Sequence, residues 1–291
     1  MREFAYARPT TVAEAVGLLE QHGDGAHLLA GGTDLVIALR EGWATPDVVV
    51  DLKRVAELKP EIRTEDGKIV ITAGTVMDDV VADERVQEHL PALVEAAEVV
   101  GSVQIRNRAT LAGNICNCSP AADTAPPLLV YDATVVVAGP DGERRVPIDD
   151  FILGPNKTAL GRAELVTAIE VPLPRRRMGS AYVRRTRRKG TDLASITLCC
   201  AVDETGTTRL AYGSVGPRPF LVLDESGVLA DPNTPEEEKA PLLDRMFHQA
   251  SPSPRSMRSG PEYRLAMLRV LGARALQTAI ERCESGEGVS R

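Results

Sequence analysis

Apolar residues recur along this chain with two periods, and the changes from one period to the other mark out its elements. Val12, Ala15, Val16 and Leu19 fall on one helical face, and Thr11 with Glu14 three residues later has the form of a capping box. The glycine-bearing "HGDGAH" ends that helix. A short strand is expected over residues 26–30, a second helix from Asp34 to about Arg40, and a buried strand over 48–52, where "VVVDL" is almost wholly apolar. A second stretch begins near Ala56. There "GKIVITAG" reads as a strand, residues 78–88 and 91–100 as helices, and Gly101 as a stop.

In "RNRATLAGNICNCSPAADTAPPLLVYDATVVV" the pair Gly113-Asn114 reads as a turn. Thr110 flanks it, and Ser119-Pro120 supplies a helix start of the N-cap plus N1 kind. From about Arg177 onward come strands around Tyr182-Val183, over 195–202 and over 208–215. A polar helical start follows in "DPNTPEEEKAPLLD", after which Tyr263, Met267, Val270, Leu271 and Ala275 give a closing amphipathic helix, with Met267 read as core.

The chain has 291 residues, 43% of them hydrophobic and 26% charged, the make-up of a soluble globular protein with room for a large core. Its 41 acidic residues outnumber 34 Lys and Arg, so as a whole it is a poor binder of polyanions, and nucleic acid is not an expected partner. No apolar run approaches the ~20 residues that span a bilayer, no transmembrane segment is expected, and the N-terminus lacks a signal-peptide core. A cytoplasmic location is the expectation. Five cysteines do not look like a secreted disulfide framework.

Candidate chemistry centres on "LLAGGTDL". Two glycines between a strand and a helix start leave backbone amides free to approach a phosphate. Taken alone, the double glycine is better read as a tight turn, since neither the spaced glycines of the dinucleotide fingerprint nor the P-loop lysine is present. The Gly113 stretch changes that balance. It is a second small-residue loop with amides and a hydroxyl, and two such loops suit the two ends of a diphosphate.

"LLAGGTDLV", "IRNRATLAGNICNCSPAADTAPPLLVYDA", "GPDGERRVPIDDF", "ELVTAIEVPLP" and "SMRSGPEYRLAMLRVL" cover almost the whole chain, and in these the sequence resembles the FAD-binding subunits of molybdenum hydroxylases. The family includes the medium subunit of carbon monoxide dehydrogenase and the central domain of xanthine dehydrogenase. The resemblance implies an α+β protein with a two-subdomain FAD-binding fold of the PCMH or vanillyl-alcohol-oxidase type. Residues 1–55 and 56–175 would be the two FAD-binding subdomains, and 176–291 a small C-terminal α+β domain with an antiparallel sheet. It further implies that Leu29, Ala30, Gly31, Gly32, Thr33, Asp34, Leu35 and Val36 wrap one side of FAD, and that Thr110, Gly113 and Asn114 hold the other. Asp123 falls on a carboxylate that hydrogen-bonds the cofactor, Val166 on a position offering backbone near the flavin, and Arg184 on a cofactor-side lysine.

Two departures stand out: Ala112 replaces the first of a glycine pair, and Arg184 brings a planar guanidinium in place of an ammonium. The eight cations of "PRRRMGSAYVRRTRRKGTD" read as Arg184 near the flavin and the rest as surface or subunit contact, because a single aromatic makes no stacking platform. Cys116 and Cys118 lack third and fourth ligands at zinc or iron-sulfur spacing, and the four histidines are scattered, so no metal site is expected. The implied function is an electron-transfer subunit that carries electrons from a small [2Fe-2S] subunit to an external acceptor. Substrate oxidation would occur on a large subunit holding the molybdopterin cofactor, with the three chains duplicated into a dimer of heterotrimers. The alternatives are a free-standing FAD-dependent oxidase or reductase and a polyanion-binding module that uses the arginines.

Overall fold

Among residues 2–286, which the computed structural model describes, three main sheets order the chain. The first is parallel, with β1 (Ala5–Ala7) and β2 (Ala26–Leu29) on either side of β3 (Val48–Asp51). Helices α1 (Val12–His22) and α2 (Leu35–Glu41) lie in its connections, as parallel strands require. The capping box forms with one shift. Thr11 Oγ1 accepts from the Glu14 N–H at 3.1 Å, but Glu14 Oε2 reaches past Thr11 to the Thr10 N–H at 2.6 Å.

The second sheet is antiparallel and is built from both ends of the middle stretch. Hairpin β4 (Ile62–Glu65) and β5 (Lys68–Thr72) is followed by six helices: α3 (Met77–Ala82), α4 (Glu84–His89), α5 (Pro91–Glu98), α6 (Val103–Arg106), α7 (Leu111–Cys116) and α8 (Ala125–Val130). The chain then returns through β6 (Thr134–Gly139), β7 (Gly142–Pro147), the turn-like α9 (Ile148–Phe151), a two-stranded ribbon of β8 (Ile152–Gly154) with β9 (Lys157–Thr158), and β10 (Leu165–Pro172). The strand order β4-β5-β10-β6-β7 places the late β10 between β5 and β6.

The helical stretch differs from the sequence expectation in three places. The helix expected over 78–88 is two helices, because Asp83 leaves helical angles and its carboxylate accepts from the Arg85 and Val86 N–H groups at 3.0 and 3.3 Å. The local cap outcompetes continuation of the helix. Gly113 and Asn114 are not a turn but lie inside α7, whose N-cap Thr110 accepts from the Gly113 N–H at 3.0 Å. Ser119-Pro120 starts no helix: Ser119 Oγ accepts from the Ala121 N–H at 3.2 Å in a local turn, and the next helix begins at Ala125 with Pro126 in its first turn.

The third sheet is a meander of β11 (Met178–Arg185), β12 (Ile196–Asp203), β13 (Thr208–Gly213) and β14 (Phe220–Asp224). It is covered on both faces, and β12 shows why "ITLCCAV" carries no polar alternation. Ile196, Leu198, Cys200 and Val202 pack on one core with α10 (Glu236–Met246) and α11 (Pro261–Ser285), while Cys199 and Ala201 join the larger core under the first two sheets. The closing helix is amphipathic, but its buried face runs through Leu268, Leu271, Ala275 and Ala279. Tyr263 and Val270, expected on that face, are each 42% exposed, and Met267 packs on the second core from its margin. The fold is α+β, and no helix among the described residues is long and apolar enough to cross a membrane.

Helix α11 lies against β11 with no side chain between them at Gly179. A Cβ there would sit 2.1 Å from the Ala279 carbonyl oxygen and 2.3 Å from the Cys283 nitrogen, both backbone atoms. Gly179→Ala must therefore push the helix off the sheet, and a loss of about 3 kcal/mol in denaturant unfolding is expected, the upper range for overpacking. A change under 1 kcal/mol would show that the contact is slack.

Candidate cofactor site

The first loop gathers at the C-terminal end of β2, where residues 30–34 lead into α2. Gly31 packs against another segment so closely that a Cβ would lie 2.0 Å from the Arg108 carbonyl oxygen, while Gly32 has φ +79°. The two glycines thus meet different demands, a backbone-to-backbone contact at Gly31 and left-handed backbone at Gly32. The first helical bond of α2 runs from the Val36 N–H to the Gly32 carbonyl at 3.0 Å. The N–H groups of residues 33–35 come before it and are left to other partners.

A cavity of about 610 Å³ opens in front of this loop, within the usual range for ligand sites. Ala30 to Leu35 form one wall. Thr110, Gly113 and Asn114 of α7, with Asn117, Ser119 and Ala121–Asp123, form the opposite one. Val100, Gly101 and Ile105 close a third side, and Arg188 with Thr191, Asp192 and Leu193, from the β11–β12 loop, the fourth. Asn114 Oδ1 accepts from the Thr124 hydroxyl at 2.7 Å, which commits the amide oxygen and leaves the NH₂ end as donor.

Asp123 is the most constrained charge in the lining. It is 9% exposed, its Oδ1 accepts from the Tyr182 hydroxyl at 2.5 Å and its Oδ2 from Arg184 Nη1 at 3.1 Å. Burial raises its carboxyl above the ordinary range, against the pull of the tyrosine and the guanidinium. Burial and the neighbouring carboxylate likewise push the Tyr182 hydroxyl far up, so it stays a donor. Aspartate and arginine together are close to neutral, which lets an anionic ligand lie nearby. The strand presenting Tyr182 and Arg184 is gripped from two helices. Glu95 of α5 accepts from the Tyr182 N–H at 2.7 Å and from Arg282 Nη2 at 2.6 Å, and Arg282 of α11 also donates to the Ser180 carbonyl at 2.6 Å.

The expected site residues separate into two groups. Ala30, Gly31, Gly32, Thr33, Asp34, Leu35, Thr110, Gly113, Asn114 and Asp123 share the cavity lining. Leu29, Val36, Val166 and Arg184 lie outside it. Leu29 and Val36 pack around Gly32, Val166 is buried in the main core on β10, and Arg184 stands behind Asp123. The Gly113 and Asn114 N–H groups are spent on Thr110, so they are not the free amides of a second loop.

Sequence reasoning overlooked Val100, Gly101, Ile105, Arg188, Thr191, Asp192 and Leu193. Gly101 was legible only as a helix stop, and Asp192, at the end of the basic stretch, was given no site role. Its carboxylate, held to about 2 by Arg187, locks the β11–β12 loop, and the Thr191 hydroxyl ties that loop to the Gly101 carbonyl at 2.9 Å. Cys116 and Cys118 are free thiols pushed up to about 12 and about 11 by burial. Among the described residues no group of three or more His, Cys, Asp or Glu is placed to hold a metal ion.

Residues 2–174 match the sequence family described as the FAD binding domain in molybdopterin dehydrogenase. The chain belongs to that family. It is 33% identical to the xanthine dehydrogenase FAD-binding subunit of Escherichia coli O157:H7, over 96% of this chain and 97% of the relative. It is 34% identical to the carbon monoxide dehydrogenase medium chain of Hydrogenophaga pseudoflava, over 96% and 98%. A solved structure of carbon monoxide dehydrogenase from Hydrogenophaga pseudoflava superimposes with a TM-score of 0.85 at 32% identity, covering 97% of this chain and 99% of that one. This molybdopterin-dehydrogenase FAD domain is thus part of an oxidoreductase whose cofactor is FAD, and the cavity suits it. It offers free amides beside the Gly31 contact, a hydroxyl at Thr33, and a charge-balanced carboxylate able to accept from a cofactor donor.

Because Asp123 keeps its proton to higher pH in the folded chain than in the unfolded one, ionising it opposes folding. Its contribution therefore falls as pH rises from about 4, the ordinary carboxylate value, through the raised native value. Denaturant unfolding of wild type and Asp123→Asn across that range should show a decline in the wild type that the variant lacks. Parallel curves for the two proteins would contradict the assignment.

Proposed function

We propose that this chain is the FAD-bearing electron-transfer subunit of a molybdenum hydroxylase complex. It receives electrons from a small [2Fe-2S] subunit and hands them to an external acceptor, while a large molybdopterin-binding subunit oxidises the substrate. The observation that carries this reading is the cavity itself, made of amides, hydroxyls and three carboxylates. None of the four histidines lines it, Asp123 and Asp192 are both held by arginines, and the third carboxylate, Asp34, stands at the N-cap of α2. These are groups for binding and orientation rather than for acid–base attack on a substrate. Full-length similarity to proteins named as a subunit and a medium chain supports a role beside partner chains.

When bound, FAD supplies the redox chemistry, accepting electrons and passing them on, and the protein supplies position and electrostatics. The N–H groups of residues 33–35 and the Thr33 hydroxyl would hold the diphosphate, Asn114 would donate from the opposite wall, and Asp123 would accept from a hydroxyl or ring N–H of the cofactor. Tyr182 and Arg184 orient that carboxylate. Residues 1–55 and 56–175 serve as the two FAD-binding units and 176–291 as the third domain. The working particle is a dimer of heterotrimers in the cytoplasm.

The native complex should release one FAD per chain on heating, without a covalent tether. FMN, covalent flavin or no flavin would overturn the reading. Thr33→Val keeps the shape and removes the hydroxyl, so FAD affinity should fall about tenfold, the scale of one hydrogen bond to a charged group, with the melting transition of the apo chain unchanged. In a complex stripped of flavin, substrate should still reduce the iron-sulfur centres while transfer to the external acceptor stops. A lone monomer with full substrate turnover would instead make this a free-standing oxidase.

A further inference from the structure

A second, smaller cavity of about 210 Å³ lies on the other side of the Gly31 loop. Ala30, Gly31 and Thr110 line both cavities, so one loop separates them. The inner surface of the smaller one is apolar. Leu52, Leu58 and Ala73, each at most 9% exposed, contribute to it along with Pro60 and Val76. The charges around it are of one sign: Lys53, Lys59 and Arg108 line the cavity and no acidic residue does. In a chain of net charge −7 that is a local reversal. Lys53 Nζ is taken by Asp51 at 2.5 Å. Lys59 and Arg108 have no carboxylate partner among the described residues, and Arg108 Nη2 only approaches the Gly31 carbonyl at 3.5 Å.

Size and chemistry together restrict the ligand. An apolar cavity of about 150 Å³ is enough to hold benzene, so the volume here accommodates one ring with a small substituent. A neutral ring would leave the two cations unmatched. An inorganic anion would leave the apolar surface in contact with water. A ring bearing a carboxylate satisfies both halves.

We propose that this second cavity is a binding site for a single-ring carboxylate, the ring against Leu52, Leu58 and Ala73 and the carboxylate between Lys59 and Arg108. Its occupancy bears on the FAD cavity because Gly31 forms a wall of both and rests on the Arg108 backbone, leaving no slack between them. Ligand and FAD then change each other's affinity by the same factor. That coupling rests on the FAD reading given above, whereas the binding itself does not.

Benzoate is the probe, titrated calorimetrically into the full chain with and without FAD, with benzamide and benzylamine as neutral and cationic comparisons. One benzoate per chain is expected in both states, with benzamide weaker and benzylamine weaker still. The double variant Lys59→Gln/Arg108→Gln, altered only at exposed side chains, should bind benzoate about fivefold more weakly, the scale of two exposed charge contacts. FAD affinity should shift with benzoate by the factor that FAD imposes on benzoate. No benzoate binding in either state, equal binding of benzamide, or undiminished binding by the double variant would overturn the site. Displacement of benzoate by FAD would also overturn it, by placing the probe in the larger cavity. Benzoate binding to a chain that takes up no FAD would sustain the site and refute the FAD reading, and FAD affinity indifferent to benzoate would overturn the coupling.

Discussion

The meeting of two backbones at Gly31 and Arg108 is the constraint on which the rest of the site depends. One segment comes from the small parallel sheet and the other from the helical stretch of the second sheet, and they touch with no side chain between them. Such a contact fixes the separation of the two units more tightly than packed side chains can, since it involves no rotamers. It places the loop before α2 opposite the α7 wall, and it divides the space around the loop into two cavities of different character. The double glycine is therefore neither a simple turn nor simply a phosphate loop. Its structural demands create the geometry that the cofactor uses.

A second constraint sets the fourth wall. Strand β11 is held on its backbone by Glu95 and Arg282 on either side of Ala181, and its side chains at 182 and 184 converge on Asp123. Removing either partner of the buried pair leaves the other charge exposed to a low-dielectric surrounding, which costs far more than the pair contributes. The C-terminal residues are thereby part of the cavity although only Arg188 and Thr191–Leu193 reach its surface.

Much of this was legible in the sequence because it rests on short-range rules. The helix after Thr11 follows from local spacing, the buried "VVVDL" and "ITLCCAV" strands from their continuous apolar runs, and the glycines at 31 and 32 announced unusual backbone. What was not legible has two sources, local caps that override the expected element and partners distant in the chain. Nothing local at Asp83 separates a helix break from an acidic helical residue except a cap that wins by hydrogen bonding. Thr110 likewise turned an expected turn at Gly113 into a helix by capping it. The cavity lining at Gly101, Arg188 and Thr191 exists only because a loop after β11 crosses to a turn after α5. Leu29 and Val36 share the motif of the lining residues but pack around Gly32 outside the cavity, Val166 is buried in the main core, and Arg184 stands one layer behind Asp123.

The grip on β11 has a mechanical consequence. A strand pinned through its backbone by helices from two different parts of the chain cannot act as a hinge, and the Gly179 contact with α11 removes the sliding freedom that packed side chains would allow. On that side of the cavity the freedom left belongs to the β11–β12 loop, whose tie from Thr191 to the Gly101 carbonyl is a surface contact separable from the packing that holds the fold together.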